Sequence, residues 1–140
     1  RNIGAVVRNA NAFGAGAVHI VGRRRWNRRG AMATDRYLDV HHHDTVDSFL
    51  DRCRADGLVV VAVDNVAGSV PIETVDLPER CVLVFGQEGP GLSEQARAAA
   101  SRVCSITMYG STRSLNAGVA SGIAMYAWAL RHAHPEPVSP

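Results

Sequence analysis

Two polar, glycine-bearing segments carry the residues most able to do chemistry, Gly86-Gln87-Glu88-Gly89-Pro90-Gly91 and Met108-Tyr109-Gly110-Ser111-Thr112-Arg113-Ser114-Leu115-Asn116. Each follows a short apolar or β-branched run and precedes an Ala-rich helical pattern. That placement predicts that both open at the same edge of a parallel sheet, where α/β proteins bind ligands. Asn2 and Arg8, on a helix at the other end of the chain, add a third polar pair. Three separated segments meeting at one edge point first to an enzyme.

The glycines of the first loop let backbone N–H groups approach a ligand closely. The loop has no Lys to reach a phosphate, and its spacing is G-x-x-G-x-G rather than G-x-G-x-x-G, so it is neither of the common nucleotide loops. Glu88 would repel a phosphate and suits a cationic or hydroxyl-bearing ligand; a solvated turn carboxylate is the competing reading. Ser114 and Asn116 stand where the last helix begins, and either is equally suited to cap it. Asn2 and Arg8 lie roughly 600° apart around their helix, so they do not closely share a face. Arg8 is unusual on an otherwise apolar helix, because a buried guanidinium needs a partner, whether a substrate or a carboxylate elsewhere in the chain.

With 140 residues, 46% of them hydrophobic, the chain is expected to form one domain over 1–140 with its own core. No apolar run reaches the length of a membrane span and no signal peptide is visible, so no membrane partner is expected. Cys53, Cys81 and Cys104 are odd in number and form no CxxC pair, which argues against a disulfide framework or structural zinc and fits reduced thiols in the cytoplasm. His41-His42-His43-Asp44 invites a metal reading. Adjacent side chains in an extended segment point to opposite faces, so no metal is expected there.

All 15 basic residues are Arg, and five of them, Arg23, Arg24, Arg25, Arg28 and Arg29, surround Trp26. The whole chain carries +2, so the remainder without those five carries −3, and the basic character is a local patch. Forked guanidiniums around one Trp suit phosphate clamping and stacking on an unpaired base. A solvated loop with no ligand is the alternative.

Apolar periodicity predicts helices over Asn2–Phe13, Thr45–Asp56 (closed by Gly57), Ser93 to about Arg102, and Asn116 to about His134. Strands are expected at Ala17–Val21, Leu58–Val63, Cys81–Phe85 and Cys104–Met108, with a loop over Asn65–Arg80 and a disordered tail over 135–140. Strands alternating with helices make this an α/β chain, a parallel sheet with helices on both faces. The first helix has no strand to feed it, so an initial strand is expected before Arg1.

Together these segments resemble the SpoU (TrmH-type) branch of the SPOUT superfamily of RNA methyltransferases. Three motifs carry the resemblance: Asn2-Ile3-Gly4-Ala5-Val6-Val7-Arg8-Asn9-Ala10-Asn11-Ala12-Phe13-Gly14, then Val82-Leu83-Val84-Phe85-Gly86-Gln87-Glu88-Gly89-Pro90-Gly91-Leu92, then Ile106-Thr107-Met108 through Ser114-Leu115-Asn116 into the last helix. The resemblance implies a SPOUT-like α/β-knot with a deep C-terminal trefoil knot, which general rules of chain topology would not suggest. It also implies a homodimer, S-adenosylmethionine as methyl donor, and a tRNA or rRNA ribose 2′-hydroxyl as acceptor. Asn2, Arg8, Glu88, Ser114 and Asn116 match the family's catalytic positions. Gly86, Ile106 and Leu115 match positions whose backbone holds the cofactor, with Val63 and Met108 beside them. Arg23, Arg24, Arg25, Arg28, Arg29 and Arg113 are the expected RNA contacts. Ala117-Gly118 departs from the family's more usual Val-Ser after the Asn. Two other readings stay open, an RNA- or nucleotide-binding module of this fold without turnover and a metal-dependent hydrolase using the His run. Intact Arg8 and Asn116 argue against a pure binder.

Overall fold

The structure, a computed structural model, describes residues 2–22, 38–86, 91–112 and 115–133. Helix α1 (Asn2–Ala12) leads to strand β1 (Ala17–Val21), whose buried Val18 and Ile20 pack on Val7 and Ala10 of the helix. β2 (Asp39–His43) lies parallel to β1, and α2 (Val46–Ala55) follows it. Then come β3 (Val59–Val63), β4 (Val70–Pro71), a 3-10 turn at Ile72–Thr74, and β5 (Cys81–Phe85). α3 (Glu94–Ala99), β6 (Arg102–Ser105) and α4 (Ala117–His132) complete the described elements.

Strand β3 explains the layering. Its five residues, Val-Val-Val-Ala-Val, alternate between two buried faces, as the period of a strand requires. Val60 packs with Phe49, Leu50 and Cys53 of α2, and Ala62 with Leu92 and with Ala96 of α3. On the opposite face Val61 and Val63 meet Leu77, Cys104 and Ala124 of α4. The expected parallel sheet with helices on both faces is present around β3, in the order β4-β6-β3-β5. β1 and β2 form a separate two-stranded parallel sheet rather than joining it. A cleft of about 1530 Å³ is lined by β1 on one side and β5 on the other.

Three helix starts are fixed by side-chain caps, each oxygen accepting from an N–H three residues on: Thr45 from Ser48 (3.1 Å), Ser93 from Ala96 (3.2 Å) and Asn116 from Val119 (2.8 Å). Gly57, at φ 67°, turns the chain out of α2. α1 is locked to α4. Asn9 donates from Nδ2 to the Gly118 carbonyl (2.9 Å) and to the Oγ of fully buried Ser121 (3.0 Å). The helices meet closely because Gly122 has no Cβ, which would sit 3.3 Å from Asn9 Nδ2.

All three cysteines are free. Burial raises the thiol pKa of each, that of Cys81 to about 11, so they are poor nucleophiles near neutrality.

The histidine run forms a strand beside β1 that the sequence pattern does not predict; His41 and His43 share a face, and His19 of β1 joins them. The His19 ring stacks 5.1 Å from His41 and 5.2 Å from His43, and His19 Nδ1 lies 2.9 Å from His43 Nε2. Among the described residues no group of three or more His, Cys, Asp or Glu is arranged to hold a metal ion. Burial lowers the pKa of His19 from 6.5 to about 4, helped by neighbouring His41, His43 and Arg52 and opposed by Asp56. His43 is lowered too, again chiefly by burial.

A folded pKa below the unfolded value means that the unfolded chain binds more protons between the two. Stability is therefore fully present above pH 6.5 and lost as pH falls toward 4. The urea midpoint is expected to drop between pH 7.5 and pH 5, and His19→Phe is expected to flatten that drop. An equal drop in the variant would assign the acid sensitivity to other groups.

Candidate active site

The ladder registers set the site. Val63, the last residue of β3, lies opposite Phe85 on β5 and Cys104 on β6. All three strands run parallel, so Gly86 and Ser105-Ile106 leave the sheet on either side of Val63, at its C-terminal edge. Gly86 is where the chain closes on itself: a Cβ there would lie 2.3 Å from both Gly91 C and Leu92 N. Ile106 is buried, and Met108 packs half-buried on the same core as Val63. Leu115, 38% exposed, stands just before the Asn116 cap of α4, and Tyr109 projects almost fully into solvent.

Val63, Gly86, Ile106 and Met108, which the resemblance groups together, are thus brought to one edge, the edge at which the loop after Phe85 and the segment after Ser105 both open. Asn116 sits beside α1, in a surface hollow of about 450 Å³ that it shares with Ala5, Asn9, Val119 and Ile123. Asn2 is the first residue of α1. Arg8 corrects the expectation of a buried guanidinium, for it is exposed on α1, and among the described residues no carboxylate pairs with it. Glu88, Arg113, Ser114 and the Arg23, Arg24, Arg25, Arg28 and Arg29 patch lie outside the described residues.

Two further residues have roles that their sequence surroundings do not show. Asn65, just beyond β3, donates from Nδ2 to the Ile106 carbonyl (2.9 Å) and accepts the Ile106 N–H at Oδ1 (2.9 Å). Asn9 provides the α1–α4 lock. Neither partner is near in sequence, so only the fold reveals them.

At this edge Val63 and Ile106 are buried and Met108 is half-buried, and Gly86 lies close against the main chain of Gly91 and Leu92.

Known proteins share this architecture. A solved rRNA methyltransferase from Sinorhizobium meliloti, described as AdoMet-bound, superposes with a TM-score of 0.83 at 28% identity, over 92% of this chain and 51% of that one. The SpoU methyltransferase AviRb from Streptomyces viridochromogenes, in complex with the cofactor AdoMet, superposes at 0.84 with 26% identity, over 92% and 55%. A tRNA (guanosine(18)-2′-O)-methyltransferase from Borreliella burgdorferi is 27% identical over 94% of this chain, which spans 62% of that relative's length. The profile described as the SpoU rRNA Methylase family matches residues 1–126, nine-tenths of the sequence, and through that match the chain belongs to this family.

Proposed function

We propose that this chain transfers a methyl group from S-adenosylmethionine to a ribose 2′-hydroxyl of tRNA or rRNA in the cytoplasm. The observation that carries the reading is the register that brings Val63, Gly86 and Ile106 to one sheet edge, where their counterparts by resemblance hold the cofactor. When bound, S-adenosylmethionine supplies an already activated methyl group, so the protein's part is mainly alignment and removal of the hydroxyl proton. Main chain at Gly86, Ile106 and Leu115 would hold the cofactor, between Val63 and Met108.

Arg8 is best suited to orient the ribose and an adjoining phosphate. A guanidinium keeps its proton in proteins, so it clamps more readily than it acts as a base. Asn116, as the cap of α4, holds the start of that helix. Glu88 and Ser114 are assigned by resemblance to holding the loops, with Asn2 beside them, and the Arg23–Arg29 patch with Arg113 to the RNA backbone.

A homodimer and the C-terminal trefoil knot belong to the same reading. An apolar row along α4 supports the dimer: Val119, Ile123, Tyr126 and Leu130 are 40–69% exposed at helical spacing. A further strand is assigned to the cleft between β1 and β5. Among the described residues β1 pairs only with β2 and β5 only with β3, so each has one edge unpaired, and a strand entering α1 and then β1 would make a right-handed unit that ends beside β1. No helix among the described residues is long and apolar enough to cross a membrane.

The reading is tested with S-adenosylhomocysteine. At a hundred times its dissociation constant it is expected to stabilise the fold by about 2.7 kcal/mol. Labelled S-adenosylmethionine is expected to methylate bulk RNA at 2′-oxygens. An unmoved melting temperature together with no calorimetric binding would overturn it; binding without incorporation would favour an RNA-binding module.

A further inference from the structure

The main chain of Ile106 is held by a side chain rather than by a neighbouring strand. β6 pairs with β3 as far as Cys104 opposite Val63, and the Asp64 N–H extends that ladder to the Cys104 carbonyl at 2.9 Å. There the β3 chain turns away, with the Val66 N–H donating back to the Asp64 carbonyl. The next main-chain pair on the β6 side, the N–H and C=O of Ile106, would then lose its partner. Asn65 supplies one. Its carboxamide presents a donor and an acceptor side by side, as a peptide group does, and meets both Ile106 groups at 2.9 Å.

We infer that Asn65 is a positioning residue for the cofactor edge. It fixes the peptide planes on both sides of Ile106, and so the course of Ile106-Thr107-Met108 as the chain leaves the sheet. The inference rests on the reading of this edge as the S-adenosylmethionine site. It also refines that reading. The Ile106 N–H is already engaged within the protein, so toward a ligand this residue offers only the second lone pair of its carbonyl and its side chain. Any N–H donated to the adenine edge must come from elsewhere along this segment.

The bonds do not act through burial of apolar surface, because Asn65 as a residue is exposed. Removing them is therefore expected to loosen the edge more than the core. With both bonds lost, S-adenosylhomocysteine binding is expected to weaken about tenfold, the order of one or two neutral hydrogen bonds.

The experiment is calorimetric titration of S-adenosylhomocysteine into wild type, Asn65→Ala and Asn65→Asp, at 10 °C and at pH 7.5 and pH 4.5, the lower value chosen to reach the range where an exposed Asp takes up its proton. Asn65→Ala is expected to bind about tenfold more weakly than wild type at both pH values. Asn65→Asp separates positioning from simple destabilisation. Ionised, its carboxylate accepts the Ile106 N–H but faces the Ile106 carbonyl with no proton to donate. Protonated, it restores both bonds. Its affinity relative to wild type is expected to rise as the pH is lowered, and that ratio remains measurable if Asn65→Ala fails to fold. Wild-type affinity in Asn65→Ala, or an Asn65→Asp ratio independent of pH, would overturn the inference while leaving the cofactor site standing. Failure of the wild-type protein to bind S-adenosylhomocysteine would overturn the site itself, and the role of Asn65 with it.

Discussion

Replacing Arg8 by Ala is expected to lower methyl transfer to a cognate RNA by at least about two decades, with S-adenosylhomocysteine affinity unchanged. An orienting or acid–base group is typically worth 10²–10⁴-fold in rate, and an interaction made only with the reacting ribose appears in the chemical step. The structure separates the two readouts. Arg8 lies on α1, whereas Val63, Gly86 and Ile106 lie at the ends of β3, β5 and β6. Because the guanidinium is exposed and has no carboxylate partner among the described residues, its removal is also expected to leave the unfolding free energy, from urea denaturation, within about 0.5 kcal/mol of wild type. The measurement is single-turnover methylation, with cofactor affinity and oligomeric state read on the same sample. A fall of only about twofold would remove Arg8 from the catalytic group.

Gly86→Ala is expected to have the largest effect on the fold and to abolish cofactor binding. The added methyl carbon would stand 2.3 Å from the main chain of Gly91 and Leu92, and 2.8 Å from the Gly91 carbonyl oxygen. These are backbone atoms, so no rotamer change relieves the overlap, and the loop or the end of β5 must move. Overpacking costs about 1–3 kcal/mol even where side chains can adjust, and this case belongs at or above the top of that range. Urea denaturation gives the loss of stability, and calorimetry with S-adenosylhomocysteine gives the loss of the site. A variant with unchanged midpoint and unchanged affinity would mean that the two segments do not approach closely in solution.

The strands most legible in the sequence were those with the least ambiguous burial. Val59–Val63 and Cys81–Phe85 are continuous apolar runs, and both are strands. Asp39–His43 also pairs as a strand, but Asp-Val-His-His-His has no apolar alternation and gains its place from β1 beside it. The last strand was misplaced toward its C-terminus. Ile106-Thr107-Met108 continues a β-like pattern, yet the ladder ends at Ser105 because the Asn65 side chain, not a strand, meets Ile106. Similarly, α3 stops at Ala99, short of the expected Arg102, because Arg102 is already paired with Val61.

The same contrast holds for the site. Glycines and β-branched residues mark the sheet edge locally, so the two loops could be placed at one edge from their pattern, while the grouping of Val63, Gly86 and Ile106 comes from the resemblance. A side-chain amide that bonds across 41 residues, as Asn65 does, or across 112, as Asn9 does, leaves no local trace. An exposed Arg8 also looks the same in sequence as a buried one, since both sit in the same apolar helix pattern.

The lock between Asn9 and Ser121 has a consequence for how the chain is made. Its two halves are separated by 112 residues, so the helix carrying Arg8 leaves the ribosome well before the helix that holds it. At roughly 5–20 residues per second, that interval lasts about 6–22 seconds. During it α1 can settle on β1 through Val7 and Ala10, whereas its Asn9 side must wait in water. The Asn9 carboxamide stays hydrated through that wait, and α4 replaces the water when it emerges.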